Sequence, residues 1–424
     1  MTGQPKASNG APGQRCRGKP QPDSREDVGP AQREDQKTRT AQAQRKLLSH
    51  RRQGCAKRRA GTGGTIIVGI LPMEQFRPMQ EAWHQALAAR GARIEAGRVA
   101  DFDHPVRDAH STTAGTTVTA LLREGVILAS GEDAGVFLQG QLSNDVTQVS
   151  SSRSQLAAYC TPKGRVLATI LLWERDGAYA LQLPSELVDP IAKRLQMYVL
   201  RSRVRLTDVS EHIALLGLAG PQAAEIVGDE FGIALSSVYA TGASGGIAAI
   251  VLPGDRVQLA VSVERVVETW DRLALRCQPA GQALWDWHAI TSGVPSITAP
   301  TQDQFVPQML NLELVGAVNF GKGCYPGQEI VARSQYRGQV KRRLGRFSTA
   351  VSAAPGEHIY AAGQQVGVVV NSAPEPAGGF ELLAVVQTQS GGAPLHLGTG
   401  GPALRPQPVP YLLPDAPDRR AGDA

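Results

Sequence analysis

From residue 118 onward the chain is written as short apolar runs cut by Gly, Asp and Ser: VILASGEDAGVFLQGQL (126–142), RVLATILLW (165–173) and AYALQL (178–183). Such runs, bounded by turn residues, read as strands, with a helix between them over Ala134 to Leu142. The same reading predicts a helix near Leu187 to Leu200, a strand at VRLTDV (204–209), and a strand at IALLGLAG running into a helix at PQAAEIV. A further helix is expected across Val263 to Leu275. Strands and helices mix without a regular βαβ period, which predicts an α+β fold and not a doubly wound sheet. After Gly338 the texture changes again. RLGRFSTA, QQVGVVVNSA and ELLAVVQT are strand-like and have no helix between them. They predict a small closed β-barrel or a sandwich.

The front of the chain differs. Residues 1–72 are rich in Gly, Pro, Gln, Ser and Arg and carry almost no aromatic or β-branched residues before Thr62. Such a segment buries too little apolar area to offset the entropy of ordering it, so a disordered basic leader is expected. Order begins near Met79, where Met79, Trp83 and Leu87 recur at four-residue spacing ahead of Gly91, the pattern of an amphipathic helix and its stop. The expected organisation is a leader (1–72), a core (73–338), a barrel domain (339–412) and a flexible tail (413–424).

Charge and cysteine usage exclude several classes. The chain of 424 residues has a net charge of +6, but residues 1–60 hold 15 Lys and Arg against 5 Asp and Glu, leaving 29 basic and 33 acidic residues in 61–424. The basic balance belongs to the leader and gives the core no nucleic-acid signature. Cysteines at 16, 55, 160, 277 and 324 are dispersed and odd in number, with no C-x-x-C pair, so neither a disulfide framework nor a local thiolate metal site is expected. No apolar stretch approaches the 18 or so residues of a membrane span, and the run Ile66 to Leu71 is too short for a signal peptide. A reducing compartment, the cytoplasm, is the expected location.

The densest chemistry lies at GKGCYPGQEIVAR (321–333). A loop over Val318 to Gly323 leads to a helix expected to begin at Pro326, since proline suits a first turn whose N–H groups lack partners. Glu329 then falls where the helix dipole favours a negative charge. Cys324 stands just before that helix with Lys322 beside it, the surroundings of nucleophilic and metal-binding cysteines. Gly323 and Gly327 allow close approach to the backbone. The plain alternative is a buried, inert cysteine beside an ordinary turn.

Lys322, Gly323, Cys324, Tyr325, Gly327, Gln328, Glu329 and Arg333 together resemble the signature of the YgfZ-type folate-binding proteins, relatives of the glycine cleavage T protein (aminomethyltransferase). That signature is Lys-Gly-Cys-aromatic-x-Gly-Gln-Glu, followed by a small residue and Arg. The similarity extends through FLQGQLSNDV (137–146), YCTPKGRVLA (159–168), MYVLRSRVRL (197–206), WDWHAITSGVPSI (285–297), QFVPQMLNLE (304–313) and QQVGVVVNSA (364–373), about residues 118–412 in all. The resemblance implies two α+β lobes and a C-terminal barrel around a channel that binds tetrahydrofolate. It also implies a role in assembling or repairing iron–sulfur clusters in client enzymes, one of which thiomethylates tRNA. Mitochondrial relatives share the motif, so the matrix is the alternative compartment.

What the resemblance implies for single residues is uneven. Trp285 matches a tryptophan that contacts folate. Many relatives have a glutamate near Thr291, and a carboxylate is the natural partner for the paired N–H donors of a pterin. Threonine cannot take that part, so Glu329 or Asp145 is expected to supply the acid. Ala168 and Thr169 stand where aminomethyltransferases carry an acidic pair, so glycine cleavage is not expected. A second tryptophan of the family has no counterpart, Glu124 and Gly125 occupying its region. Lys163, Arg165, Arg201 and Arg203 are candidates for a polyglutamate tail or RNA phosphates, or plain solvated charges.

The expected function is thus a tetrahydrofolate-binding accessory protein, with Cys324 as its reactive thiol at the channel mouth, fixed in place by Glu329 and Arg333. The partners are folate and the iron–sulfur clients or their assembly machinery, with no resident metal, membrane or direct nucleic-acid contact. Two rivals stand beside it: a folate-dependent aminomethyl or methyl transferase or demethylase using a different acid, and an RNA-binding module with the basic leader as its arm.

Overall fold

The computed structural model describes residues 77–102, 115–336, 340–388 and 393–414. The expected leader and residues 415–424 of the tail lie outside the described residues. Helix α1 (Arg77–Ala88) buries Trp83 and Leu87, two of the residues at four-residue spacing. It stops ahead of Gly91, whose φ of 87° is left-handed. Hairpin β1 (Ala92–Glu95) and β2 (Arg98–Phe102) follows, then β3 (Thr117–Ala120).

Two sheets form the body. The first contains β4 (Glu124–Ser130), β5 (Gln155–Cys160), β6 (Val166–Arg175), β7 (Ala178–Pro184) and β8 (Arg205–Asp208), in the order β5-β6-β7-β4-β8. Helices α2 (Ala134–Gln139) and α3 (Ser185–Gln196) pack on it. Strand β6 buries eight residues in succession, as a strand covered on both faces must. Its second cover is the other sheet. That sheet joins β3 to β9 (Ile213–Ala219), β10 (Thr241–Ser244), β11 (Ile247–Leu252), β12 (Arg256–Ser262) and β13 (Gln278–Pro279), in the order β10-β11-β12-β9-β3-β13. Leu171, Trp173 and Ala180 of the first sheet meet Leu215, Ile250 and Ala260 of the second in one apolar cluster.

Helices α4 (Ala223–Phe231) and α5 (Val266–Ala274) pack against the second sheet. The helix expected from Val263 begins at Val266 instead. Val261 and Ser262 are still paired in β12, and a turn from Ser262 to the Arg265 N–H intervenes. Helix α6 (Gln282–Thr291) follows, and α7 (Gln328–Tyr336) comes after a long irregular stretch.

The C-terminal strands close completely. β14 (Arg342–Thr349), β15 (His358–Ala361), β16 (Gln364–Pro374), β17 (Phe380–Gln387), β18 (Leu395–Leu397) and β19 (Ala403–Gln407) form a barrel in the order β14-β17-β16-β15-β18-β19, with β19 pairing back to β14. Sequence left barrel and sandwich open, and the return of β19 decides for the barrel. Along β16 the side chains divide by alternation: Val369 enters the barrel core, whereas Val368 and Val370 join the core of the first lobe. Asn371 clamps the junction, donating to the Ser296 carbonyl at 2.8 Å and accepting the Ser296 N–H at 2.9 Å.

Candidate functional site

The Cys324 loop is assembled from the inside. Lys322 is buried, and its ammonium donates to the carbonyls of Gln139 and Leu142, at the end of α2, at 2.5 Å each. It also lies 5.0 Å from the centre of the Tyr325 ring. Burial pushes this lysine down to about 8. The ammonium is therefore a structural pin between the loop and α2, and its hydrogen bonds go to backbone carbonyls and not to the thiol.

Helix α7 begins at Gln328, two residues later than expected, because Gly327 has a φ of 82° and cannot belong to a right-handed helix. A Cβ at Gly327 would stand 2.4 Å from the Thr161 carbonyl oxygen and 2.6 Å from the Gly164 Cα. The glycine is thus spent on packing the Thr161–Gly164 turn against the loop. Gly323, by contrast, has open space around it. The side chains of Glu329 and Arg333 are exposed and make no hydrogen bond or ion pair with any described residue, so no side-chain contact of theirs holds the loop.

Cys324 itself is exposed, while Cys160 and Cys277 are buried. Burial raises the latter two thiols, to about 12 and about 11. Cys16 and Cys55 lie outside the described residues.

A second centre lies between the two sheets. A cavity of about 140 Å³ is lined by Trp285, Arg256, Gln258, Gln182, Glu124 and Tyr239, among others. It shares Glu124, Pro184, Asp286, Ala289, Val294 and Ser296 with an outer cavity of about 540 Å³, whose rim includes Asn371 and Ser372 of the barrel. Glu124 comes from β4, Gln182 from β7, Arg256 and Gln258 from β12, and Trp285 and Asp286 from α6. Trp285 packs so closely on β9 that a Cβ at Gly217 would lie 2.5 Å from its ring, which explains that glycine inside a strand.

The polar groups of this cavity are unusual for a protein interior. Burial, with the charge of Asp286, raises Glu124 to about 7, and burial raises Asp286 to about 6. Arg256 is 4% exposed. Its Nε donates to the Pro253 carbonyl at 3.0 Å and its guanidinium lies 4.8 Å from the Trp285 ring centre, while its terminal nitrogens bond to no described residue. Desolvation lowers it to about 10. Tyr239 is held at a φ of 66°, rare for an aromatic residue, and its buried hydroxyl has no hydrogen-bond partner among the described residues. Donors without partners among the described residues, beside half-buried carboxyl groups, leave both kinds of hydrogen-bonding capacity open to a bound molecule.

The expected residues are only partly brought together. Trp285 lines the inner cavity, but Asp145 and Glu329 line neither. Asp145 caps the turn over Val146–Gln148, accepting from Thr147 and Gln139. The carboxylates that do reach Trp285's cavity are Glu124 and Asp286. Cys324 also lines neither cavity. Its neighbouring turn at Gly164 precedes β6, and the cavity residue Thr169 lies three residues into that strand from Val166, roughly 10 Å along it. Thr169 faces the cavity, and its hydroxyl accepts the Ile297 N–H at 3.0 Å. Arg203 pairs with Glu132 and Asp133, and Arg165 donates to the Gln304 carbonyl.

Glu124, Asp286 and Arg256 went unselected from the sequence, although each carried a signal. Glu124 opens an otherwise apolar strand, Asp286 sits between two tryptophans, and Arg256 heads the run VQLAV. A charge embedded in an apolar element must be paired or face a cavity.

Residues 81–239 match the family model of the GCVT N-terminal domain. The fold is similar to that of the glycine cleavage system aminomethyltransferase T from Bartonella henselae, with a TM-score of 0.65 and 16% identity over 78% of this chain and 97% of that one. The architecture is therefore that of the aminomethyltransferase class. Among curated proteins the chain is 31% identical to the "tRNA-modifying protein YgfZ" of Klebsiella pneumoniae (strain 342) over 299 residues, 68% of this chain and 90% of that relative. It is 32% identical to the protein of the same name from Colwellia psychrerythraea over 229 residues, 54% of this chain and 70% of the relative. The chain belongs to the YgfZ family. Among the described residues no helix is long and apolar enough to cross a membrane.

Proposed function

We propose that this protein is a tetrahydrofolate-binding accessory factor that supports tRNA modification by maintaining iron–sulfur clusters in client enzymes. The observation that carries the reading is the cavity beside Trp285. Its open acceptors, Glu124 and Asp286, and its open donors, Arg256 and the Tyr239 hydroxyl, match the mixed donor and acceptor edges of a pterin, and the indole offers that ring an apolar neighbour. Folate, when bound, supplies a carrier for a one-carbon unit. The protein residues bind and orient it, and the two sheets exclude water from its ring.

Cys324 works at the surface, in contact with a client or a cluster in transfer, and the pin from Lys322 to α2 holds its loop for that contact. The names of the relatives supply the tRNA link, which in this chain is indirect.

Titration calorimetry of tetrahydrofolate into the full chain tests the cavity. Saturable heat that Trp285→Ala abolishes is the expected result, and no heat with the wild type removes folate from the reading. In a strain lacking its own YgfZ, the wild-type chain is expected to restore thiomethylated tRNA and Cys324→Ala to fail. Full restoration by Cys324→Ala removes the thiol from the reading.

The transferase alternative also has an observation in its favour, since Glu124 and Asp286 put carboxyl groups into the cavity where Thr169 replaces the transferase acid. Formation of methylene-tetrahydrofolate from a methylamine donor decides for it.

A further inference from the structure

We propose that the outward face where α2 meets the end of α3 is the docking surface for a client protein, one whose contacting segment is apolar at its centre and acidic at its border. The inference rests on the reading of Cys324 given above, since it supplies the surface on which a client sits while it meets that thiol. A depression of about 720 Å³ lies there, lined by Asp133, Tyr198, Val199, Leu200, Arg201 and Ser202. Val199 is buried in the core of the first lobe, and its neighbours Met197, Tyr198 and Leu200 turn outward. Leu200 is 87% exposed, and Val136 of α2, one helical turn past Asp133, is 79% exposed. Single exposed apolar side chains are ordinary on a protein surface, but several grouped around one depression mark an interface. Leu200 also has a φ of 46°, a left-handed conformation that costs free energy in most residues other than glycine. A leucine that is both strained and out in water adds nothing to the fold that glycine would not, so its side chain answers to a partner.

Position and charge select the occupant. Lys322 grips the Gln139 and Leu142 carbonyls at the other end of α2, so this face and the Cys324 loop are joined through one short helix. Leu142 bridges Tyr159, whose hydroxyl is within electrostatic reach of Tyr198 and Arg194. Residues 197–206 contain three arginines and no acid. Arg203 is paired with Glu132 and Asp133, which neutralises those acids. The Arg201 and Arg205 side chains are exposed and have no hydrogen bond or ion pair among the described residues. That basic rim opposes the chain's own residues 1–60, which hold 15 basic and 5 acidic residues, and in a second copy it would face itself. An acidic border satisfies it. RNA would also meet the arginines, but aliphatic Val136, Met197 and Leu200 give a base nothing to stack on, and the free cations are few for a phosphate backbone. Tyr, Met and Arg around an apolar centre are instead the composition of protein interfaces.

The test is biolayer interferometry of the full chain against the purified tRNA-thiomethylating enzyme of the strain used for the restoration experiment, at low and at moderate salt. Saturable binding is expected. Leu200→Glu and Met197→Glu should each raise Kd about tenfold or more, and Arg201→Glu should slow association about threefold or more and flatten its salt dependence. Leu275→Glu, at an equally exposed leucine just after α5, should bind as the wild type does. Leu200→Gly suits the left-handed backbone and should melt no lower than the wild type while it too weakens binding, which separates a role in docking from a role in folding. Binding that the Leu200 and Met197 variants leave unchanged overturns the proposal, as does absence of binding by the wild type. Neither result bears on whether Cys324→Ala restores thiomethylated tRNA, so the thiol reading is decided separately. If purified tRNA binds the wild type instead, and the same variants abolish that binding, the surface serves RNA and the proposal falls.

Discussion

Gln182 of β7 and Gln258 of β12 exchange a pair of side-chain hydrogen bonds, Nε2 to Oε1 at 2.9 Å in one direction and 2.5 Å in the other, across the space between the two sheets. Both are buried. The pair is a polar rivet in an otherwise apolar contact, and it forms part of the cavity lining. Replacing either glutamine by leucine strands the other amide, at a cost of about 1–3 kcal/mol. The double Leu variant should recover part of that loss. Urea denaturation of the four proteins measures the coupling, and strictly additive losses would show that the pair does not act as a unit.

The cavity acids make stability depend on pH in a defined direction. A carboxyl whose folded value is raised binds its proton more tightly when folded, so unfolding becomes easier as pH rises from the ordinary carboxylate range through the folded value. For Glu124 that window runs from 4.5 to about 7. Ligand-free Glu124→Gln should therefore be more stable than the wild type at pH 8, by on the order of 2 kcal/mol, and the two should converge near pH 4. Denaturant midpoints at both pH values check this.

Gly327 should not tolerate alanine. The left-handed backbone and the 2.4 Å approach to the Thr161 oxygen together predict a loss of about 2 kcal/mol or more, or displacement of the Thr161–Gly164 turn. Gly323→Ala, with open space around it, should change the melting temperature little. Thermal melts of the two variants provide the comparison.

Cysteine labelling separates the three described thiols. Peptide mapping after brief iodoacetamide treatment should find Cys324 modified before Cys160 and Cys277, which are buried and raised. Lys322→Met leaves the Gln139 and Leu142 carbonyls without their donor and should cost about 1–3 kcal/mol. It should also change the labelling rate of Cys324 by loosening its loop.

Much of the framework was readable from local pattern. Trp83 and Leu87, spaced four apart, both turn inward on α1, and the runs at 166–173 and 178–183 are strands. The start of α7 is not legible locally, because Pro326 is as compatible with a turn as with a first helical residue. Contact with the Thr161–Gly164 turn, distant in sequence, decided between them. Lys322 was expected to serve the thiol because it is two residues from Cys324. Its long side chain also reaches the end of α2, where two carbonyls lack helical partners, and its charge stays within electrostatic reach of Cys324.

Sequence by itself determined many of the longer elements, the α+β class and the Cys324 loop, because these depend on dihedral preference, apolar period and contiguous motif. Only the tertiary structure decided which acids share a cavity with Trp285. Asp145 and Glu329 were plausible by residue type, yet one caps a turn and the other faces solvent. Glu124, Arg256 and Asp286 stand far apart in the chain and meet because two sheets pack face to face with α6 beside them. No local spacing records that meeting, since it follows from how whole elements bury their apolar faces.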